Sequence, residues 1–441
     1  MINFLKNILN LDIHTKEVFF KSSTTIVVQI IGIIARLVTS IILGRFLGAA
    51  GLGEINLINQ VITIIMVISM FGMDHVLVKK IAIGNSTKNN ISIGNTIFTA
   101  LLINISIAAI LTILGVFSSG YIASFFNNPE LQLPLIISFM LIVPQTIGGV
   151  FVAGINGYRK IWQSRLLKDF LTSLIVLIGI GCFFYTNIEI TLISVIILYI
   201  LGRLITFIVA TLYWSKIYKP VFIKKFIDKS MLKMAVPLLF VSATTLLTSS
   251  VDIIMLGWLT DTSKVGLYTV AARLVLFVAF FLQITNAAIS PKLATFFNNN
   301  QLKEINIMVQ QVTFWLIIIG LISSLFFLIF GKSILGFWGD EFSSAYVCLM
   351  ILCLGQFINI STGCSGVLLI MSGNEKIFSY ISALFLVLNI VLNYFLITRY
   401  SEIGAAIATA TTIIAENIIR VIVVKQKTGI STIPISVWRS N

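Results

Sequence analysis

The chain has 441 residues, 58% of them hydrophobic and only 10% charged, a mix outside that of soluble globular proteins. Its formal net charge is +14, which in a soluble protein would raise nucleic acid as a partner. Apolar runs of about 20 residues, long enough to cross a bilayer as helix, recur from residue 22 almost to the end, so the membrane is the solvent and nucleic acid is excluded.

The N-terminal MINFLKNILNLDIHTKEVFFK carries basic residues but no small-residue cleavage site after a short apolar core. Ile2, Leu5, Ile8 and Leu9 fall at helical spacing, which fits an interfacial helix as well as a disordered tail. Twelve spans follow, near 22–43, 54–77, 92–117, 132–156, 168–186, 191–214, 231–259, 266–290, 307–330, 344–371, 378–398 and 402–424. These runs are continuously apolar, which excludes the short alternating strands of an outer-membrane barrel. The expected fold is an all-α bundle of two six-helix halves, residues 1–214 and 231–441, joined by the basic linker SKIYKPVFIKKFIDKS at 215–230.

With the N-terminus inside, 22 Lys and Arg flank the inner side and only Arg45, Lys264, Lys332 and Arg399 the outer. The positive-inside rule then places both termini in the cytoplasm, as an even span count requires. The cysteines Cys182, Cys348, Cys353 and Cys364 lack metal-ligand or pairing spacing and read as small core residues.

The halves repeat one another. A shift of 213 lays LGWLTDTSKVGLY (256–268) over LGRFLGAAGLGEI (43–55), matching Gly44 with Gly257, Gly53 with Gly266, and Lys79 with Lys292. A shift of 216 lays SGNEKIF (372–378) over NGYRKIW (156–162). Six spans is an even number, so the halves share orientation and their pseudo-two-fold axis is expected along the membrane normal, with a cleft between them as in a transporter. Pro144 with Gly148, Gly149 and Gly154 is expected to break the fourth span, and Pro237 to bend the seventh, to line a wet cavity or to pack helices.

Four arginines interrupt the spans: Arg36, Arg203, Arg273 and Arg420. An arginine at a helix centre costs about 2.5–3.5 kcal/mol on insertion scales, so these side chains are expected to face the interior. Arg420 lies near the inner end, able to snorkel, and four residues after Glu416, the spacing of a structural or relay pair. Guanidinium forks suit phosphate, so Arg36, Arg203 and Arg273 together predict a cationic lumen for an anion such as a diphosphate; a hydrogen-bond anchor between helices is the other reading. Asp252, Asn389, Asn393 and Thr409 offer oxygens for Na⁺, or Asp252 a proton site, as the coupling ion of a secondary transporter; plain polar packing fits the same residues. No other metal and no organic cofactor is expected.

Arg36, LGRFLGAAGLGEINLINQ and its counterpart VDIIMLGWLTDTSKVGLYTVAARL (251–274) resemble the polysaccharide flippases of the MOP superfamily, the Wzx type, over essentially the whole chain. The first half reads GLGEI where relatives often carry an aromatic, which Tyr268 supplies in the second. The resemblance implies a V-shaped, MATE-like bundle and alternating access. Its substrate would be an undecaprenyl-diphosphate-linked O-antigen or capsule repeat unit, with polysaccharide polymerase machinery as partner. By likeness to lipid II flippases, it implies diphosphate contacts for Arg36 and Arg273.

Rival readings fare worse. KKIAIGNSTKNN lacks the glycine, aspartate and arginine pattern of a major facilitator loop. A multidrug exporter of the same superfamily would want acidic cavities for its cations. A polymerase or ligase needs a large catalytic outer loop, yet the outer loops are short and the only histidines are His14 and His75. The chain is therefore expected not to be an enzyme.

Overall fold

The structure, a computed structural model, describes residues 13–186, 189–218, 227, 228 and 230–434. The proposed interfacial residues 1–12 and most of the basic linker lie outside this set. Among the described residues all regular structure is helical.

The first two spans are one helix, Ile13–Met70, broken at Gly48 (φ 67°), and the second continues as Met73–Ser86 after Phe71 and Gly72. Asn90–Phe125 is the third span; Gln132–Phe139 and Ile142–Gly157 form the fourth. Ile161–Arg165, a π turn at Leu166–Phe170 and Leu171–Thr186 make the fifth, and Leu192–Ile217 the sixth. Ser230–Leu259, Thr262–Asn298 and Leu302–Leu335 follow, then Tyr346–Ser361 with Ser365–Met371, and finally Glu375–Thr428, broken at Ser401 (φ 50°). Among the described residues eight helices are long and apolar enough to cross a membrane and two bent pairs bring ten; dividing the two helices at Gly48 and Ser401 brings twelve.

The fourth span bends by 46° at Leu141, one turn before Pro144, because a proline cannot donate to the carbonyl four residues back. Gly148, Gly149 and Gly154 do not break it: they sit inside Ile142–Gly157. A Cβ on Gly154 would lie 2.6 Å from the Trp214 ring and one on Gly149 3.0 Å from the Met70 sulfur, so these glycines admit close neighbours. Cys348, Cys353 and Cys364 are buried, whereas Cys182 is exposed on its helix, a correction to its reading as a core residue.

Two compact units emerge, and each takes in part of the other half's sequence. One holds residues up to 47, 58–125 and 129–246; the other holds 48–57, 126–128 and 247 onward. In the first, Met73, Val76, Leu77, Ile81, Ile93 and Val150 pack with Trp214, whose ring stacks on Phe151 and Tyr218 at 6.0 and 5.4 Å. Gly72 (φ 69°) lies on the backbone of the seventh span, where a Cβ would stand 2.5 Å from the Ala235 carbonyl oxygen. On the linker side Lys80 is paired with Asp228 and donates to Ser230 Oγ at 2.9 Å, while Thr99 Oγ1 accepts from the Asp228 N–H at 3.0 Å. The Lys80 hydrogen bond, then that from Ser230, holds the Asp228 carboxyl below the usual carboxylate range. In the second unit Leu293, Ile305, Val309, Ile360, Leu368 and Val424 form the core.

The repeat is visible in the turns of each unit. Thr87, Lys88 and Asn89 donate to Ile83, Asn85 and Gly84, and Asn299, Asn300 and Gln301 donate to Thr295, Phe297 and Phe296 in the same pattern, 212 positions on. Tyr158, Arg159 and Lys160 donate to Gly154, Asn156 and Ile155, as Ser372, Gly373 and Asn374 do to Leu368, Ile370 and Leu369. That equivalence is 214, so the shift of 216 read from NGYRKIW and SGNEKIF is displaced by two: matching letters drew it, but the backbone turn sets the register.

Candidate functional site: buried cations and a carboxylate cluster

Within the second unit the start of the second span crosses the start of the eighth. The glycines matched by the 213 shift make the crossing: a Cβ on Gly53 would lie 1.8 Å from the Thr262 carbonyl oxygen, and one on Gly266 2.0 Å from that of Ala49. Ala49 and Thr262 are themselves 213 apart, so the two contacts are copies of each other. Only glycine permits so close a backbone approach. Both helix starts are capped by carboxylates, as unsatisfied N–H groups and the helix dipole favour. Asp261 accepts from the Lys264 N–H at 3.0 Å, and Glu341 from the Ala49 N–H at 2.7 Å.

One turn beyond the crossing a polar relay begins. Arg273 Nη2 donates to Asn56 Oδ1 at 2.6 Å, Asn56 Nδ2 to Thr269 Oγ1 at 2.8 Å, and Thr269 to the Gly266 carbonyl at 3.0 Å. Asn56 and Thr269 are again 213 apart. In the first unit Arg203 Nη2 donates to Asn59 Oδ1 at 2.5 Å and its guanidinium lies 6.0 Å from the Tyr199 ring centre. Arg203 and Arg273 are half-buried, while Arg36 and Arg45 are exposed.

Asp252, Asn389, Asn393 and Thr409, which the sequence offered as an ion site, meet in the second unit. Asp252 Oδ2 accepts from Tyr268 and Thr409 hydroxyls, both at 2.6 Å, and Oδ1 from Asn393 Nδ2 at 2.7 Å. Asn393 also donates to Asn389 Oδ1 at 3.0 Å, and Asn389 to Thr412 Oγ1 at 3.2 Å. The buried Asn393 Oδ1 has no partner, an acceptor that a buried polar cluster does not leave idle without reason. Carboxylate, amide and hydroxyl oxygens suit a hard monovalent cation, and the orphaned amide oxygen fits one. No group of three His, Cys, Asp or Glu is placed to hold a metal among the described residues.

Arg420 sits differently. It is paired with Glu416, donates to Ser382 Oγ at 2.9 Å and lies 4.6 Å from the centre of the Phe378 ring. It is thus compensated by a carboxylate on its own helix face.

Reading the sequence missed Asn56, Asn59 and Tyr199, and noticed Tyr268 only as a motif aromatic. Two amides three residues apart inside an apolar span were the available signal, since a polar side chain at membrane depth needs a partner.

The model for the family described as polysaccharide biosynthesis protein matches residues 20–297, more than half of the chain. The chain belongs to that family. A second model, MatE, matches residues 237–395. Capsular polysaccharide biosynthesis protein CapF of Staphylococcus aureus is 25% identical over 180 residues, 41% of this chain. The match spans 46% of CapF, about half its length. Solved structures agree on the fold. An inward-facing multidrug resistance MATE family transporter of the MOP superfamily superposes with a TM-score of 0.72 at 14% identity, over 90% of this chain and 94% of that one. The lipid II flippase MurJ, in an inward closed conformation, gives 0.69 at 16%, over 92% and 87%. A MOP transporter from Pyrococcus furiosus, described as having a binding pocket of reverse polarity, gives 0.62 at 13%, over 93% and 95%. Those solved structures are described as transporters and, for MurJ, as a flippase.

Proposed function

We propose that this polysaccharide biosynthesis flippase moves a polyprenyl-diphosphate-linked oligosaccharide from the cytoplasmic to the outer leaflet of the cytoplasmic membrane, by alternating access, with both termini inside. The observation that carries the substrate reading is the pair of half-buried arginines, Arg203 and Arg273, each held by an asparagine amide within an apolar bundle. Guanidinium groups grip phosphate with parallel N–H donors, and a neutral amide acceptor such as Asn59 orients the Arg203 guanidinium without cancelling its charge. Arg36, exposed on the first span, joins them as a diphosphate contact. The carboxylate cluster around Asp252 supplies the coupling site, for Na⁺ or for a proton on Asp252. A downstream polymerase that consumes the translocated unit completes the proposal.

A second reading has its own observation. The MatE match and the 0.72 TM-score favour export of a cationic drug, with Asp252 as its counter-charge. The test is reconstitution of the purified chain in liposomes with lipid-linked oligosaccharide in the inner leaflet, scored by a sugar-binding probe outside. Appearance of glycan at the outer face, dependent on Na⁺ or on pH, supports flipping. Efflux of an organic cation with no movement of glycan replaces the first reading by the second.

A further inference from the structure

Two arginines inside the spans, Arg420 and Arg203, are held in different ways. Arg420 is matched by Glu416 and Ser382, and its Nε is sealed and unpaired, so its charge is cancelled locally and its donors are spent or enclosed. Arg203 has no carboxylate partner among the described residues: it makes one hydrogen bond, to Asn59 Oδ1, and faces the Tyr199 ring. A guanidinium carries five N–H donors. The nitrogens that Asn59 does not engage are neither paired nor sealed from the surface.

A half-buried cation with a neutral partner is costly unless something negative visits it, because desolvation is repaid only by an opposite charge. An arginine serving only as a helix anchor would be cheaper with a carboxylate, as Arg420 is. Asn59 therefore fixes one edge of the guanidinium and the aromatic ring limits its swing, while the other donors stay available as a fork.

Resting on the flippase reading, we infer that Asn59 and Tyr199 are positioning residues that keep Arg203 an uncompensated cation, and that this arginine is an anion subsite for the diphosphate of the carrier lipid. An aspartate at position 59 would keep the acceptor geometry and abolish the free charge. That substitution separates charge from packing, because a residue that merely fills space or ties helices together tolerates it.

The experiment uses the full chain in nanodiscs of neutral phosphatidylcholine, with three probes: undecaprenyl diphosphate, undecaprenol and phosphatidylglycerol. The native chain is expected to bind the diphosphate at least about tenfold more tightly than the alcohol, a difference of about 1.4 kcal/mol. Asn59→Asp and Arg203→Gln are each expected to remove most of that preference, with undecaprenol binding unchanged. Asn59→Ser, which keeps a neutral acceptor, is expected to retain it. Absence of any preference in the native chain defeats the flippase reading, and this inference with it. A native preference that survives both Asn59→Asp and Arg203→Gln overturns the inference alone. Equal loss of diphosphate and alcohol in Asn59→Asp makes Asn59 a packing residue, and also overturns it. Phosphatidylglycerol binding as tightly as the diphosphate would make Arg203 a headgroup site instead.

Discussion

Replacing Gly53 by alanine probes the crossing that positions Arg273. The added methyl would stand 1.8 Å from the Thr262 carbonyl oxygen and 2.8 Å from its carbon, against an ordinary carbon contact of about 3.5–4.0 Å. The obstacle is backbone on a helix start, so no side chain can swing aside and the helices must part by about 1.5–2 Å. Asn56 and Thr269, bonded at 2.8 Å one turn deeper, would then be carried out of hydrogen-bonding range. Overpacking costs about 1–3 kcal/mol and a lost hydrogen bond about 1 kcal/mol, while the better helix propensity of alanine returns about 1 kcal/mol. Net destabilisation of about 2 kcal/mol is expected, and a similar loss for Gly266→Ala, whose methyl would meet the Ala49 carbonyl at 2.0 Å. Gly181→Ala is the control, with nothing within 4 Å of the new methyl. The assay is unfolding of the purified chain in mixed micelles, followed by tryptophan fluorescence. Stability of Gly53→Ala within about 0.5 kcal/mol of Gly181→Ala would refute the reasoning.

Asp252→Asn preserves the shape at the centre of the Tyr268, Thr409 and Asn393 cluster but removes its charge. The variant is expected to fold and insert normally while glycan translocation in liposomes loses its dependence on Na⁺ or pH; unchanged ion dependence would remove Asp252 from coupling. Because the Asp228 carboxyl is held below its usual range, its pairing with Lys80 contributes above the ordinary carboxylate pKa and fades as pH falls through the lowered value. Proteolysis of the linker is therefore expected to accelerate below about pH 4, and Asp228→Asn to show the fast rate already at neutral pH. For the pair on the twelfth span, Arg420→Ala leaves Glu416 half-buried without its partner, for a loss of about 2–3 kcal/mol. Glu416→Gln combined with Arg420→Gln should cost less than the single change; additive losses in a double-mutant cycle would deny the coupling.

Several features were legible in the sequence because they are local or periodic. Span number follows from apolar runs of bilayer length, and repetition from glycines that recur with a common spacing. Asn389 and Asn393 share a helix face by arithmetic alone, and Arg420 follows Glu416 at the spacing of a pair. Partners separated by more than 100 residues were not legible. Nothing in the chain says that Asn59 meets Arg203, 144 positions away, or that Asn56 meets Arg273, 217 positions away. Composition determined that this protein lives in a membrane as a helical bundle, since apolar area and unsatisfied backbone groups leave it no other form there. Only the tertiary structure decided which buried charges are cancelled and which stay open, because compensation depends on a few ångströms between helices that the sequence keeps far apart.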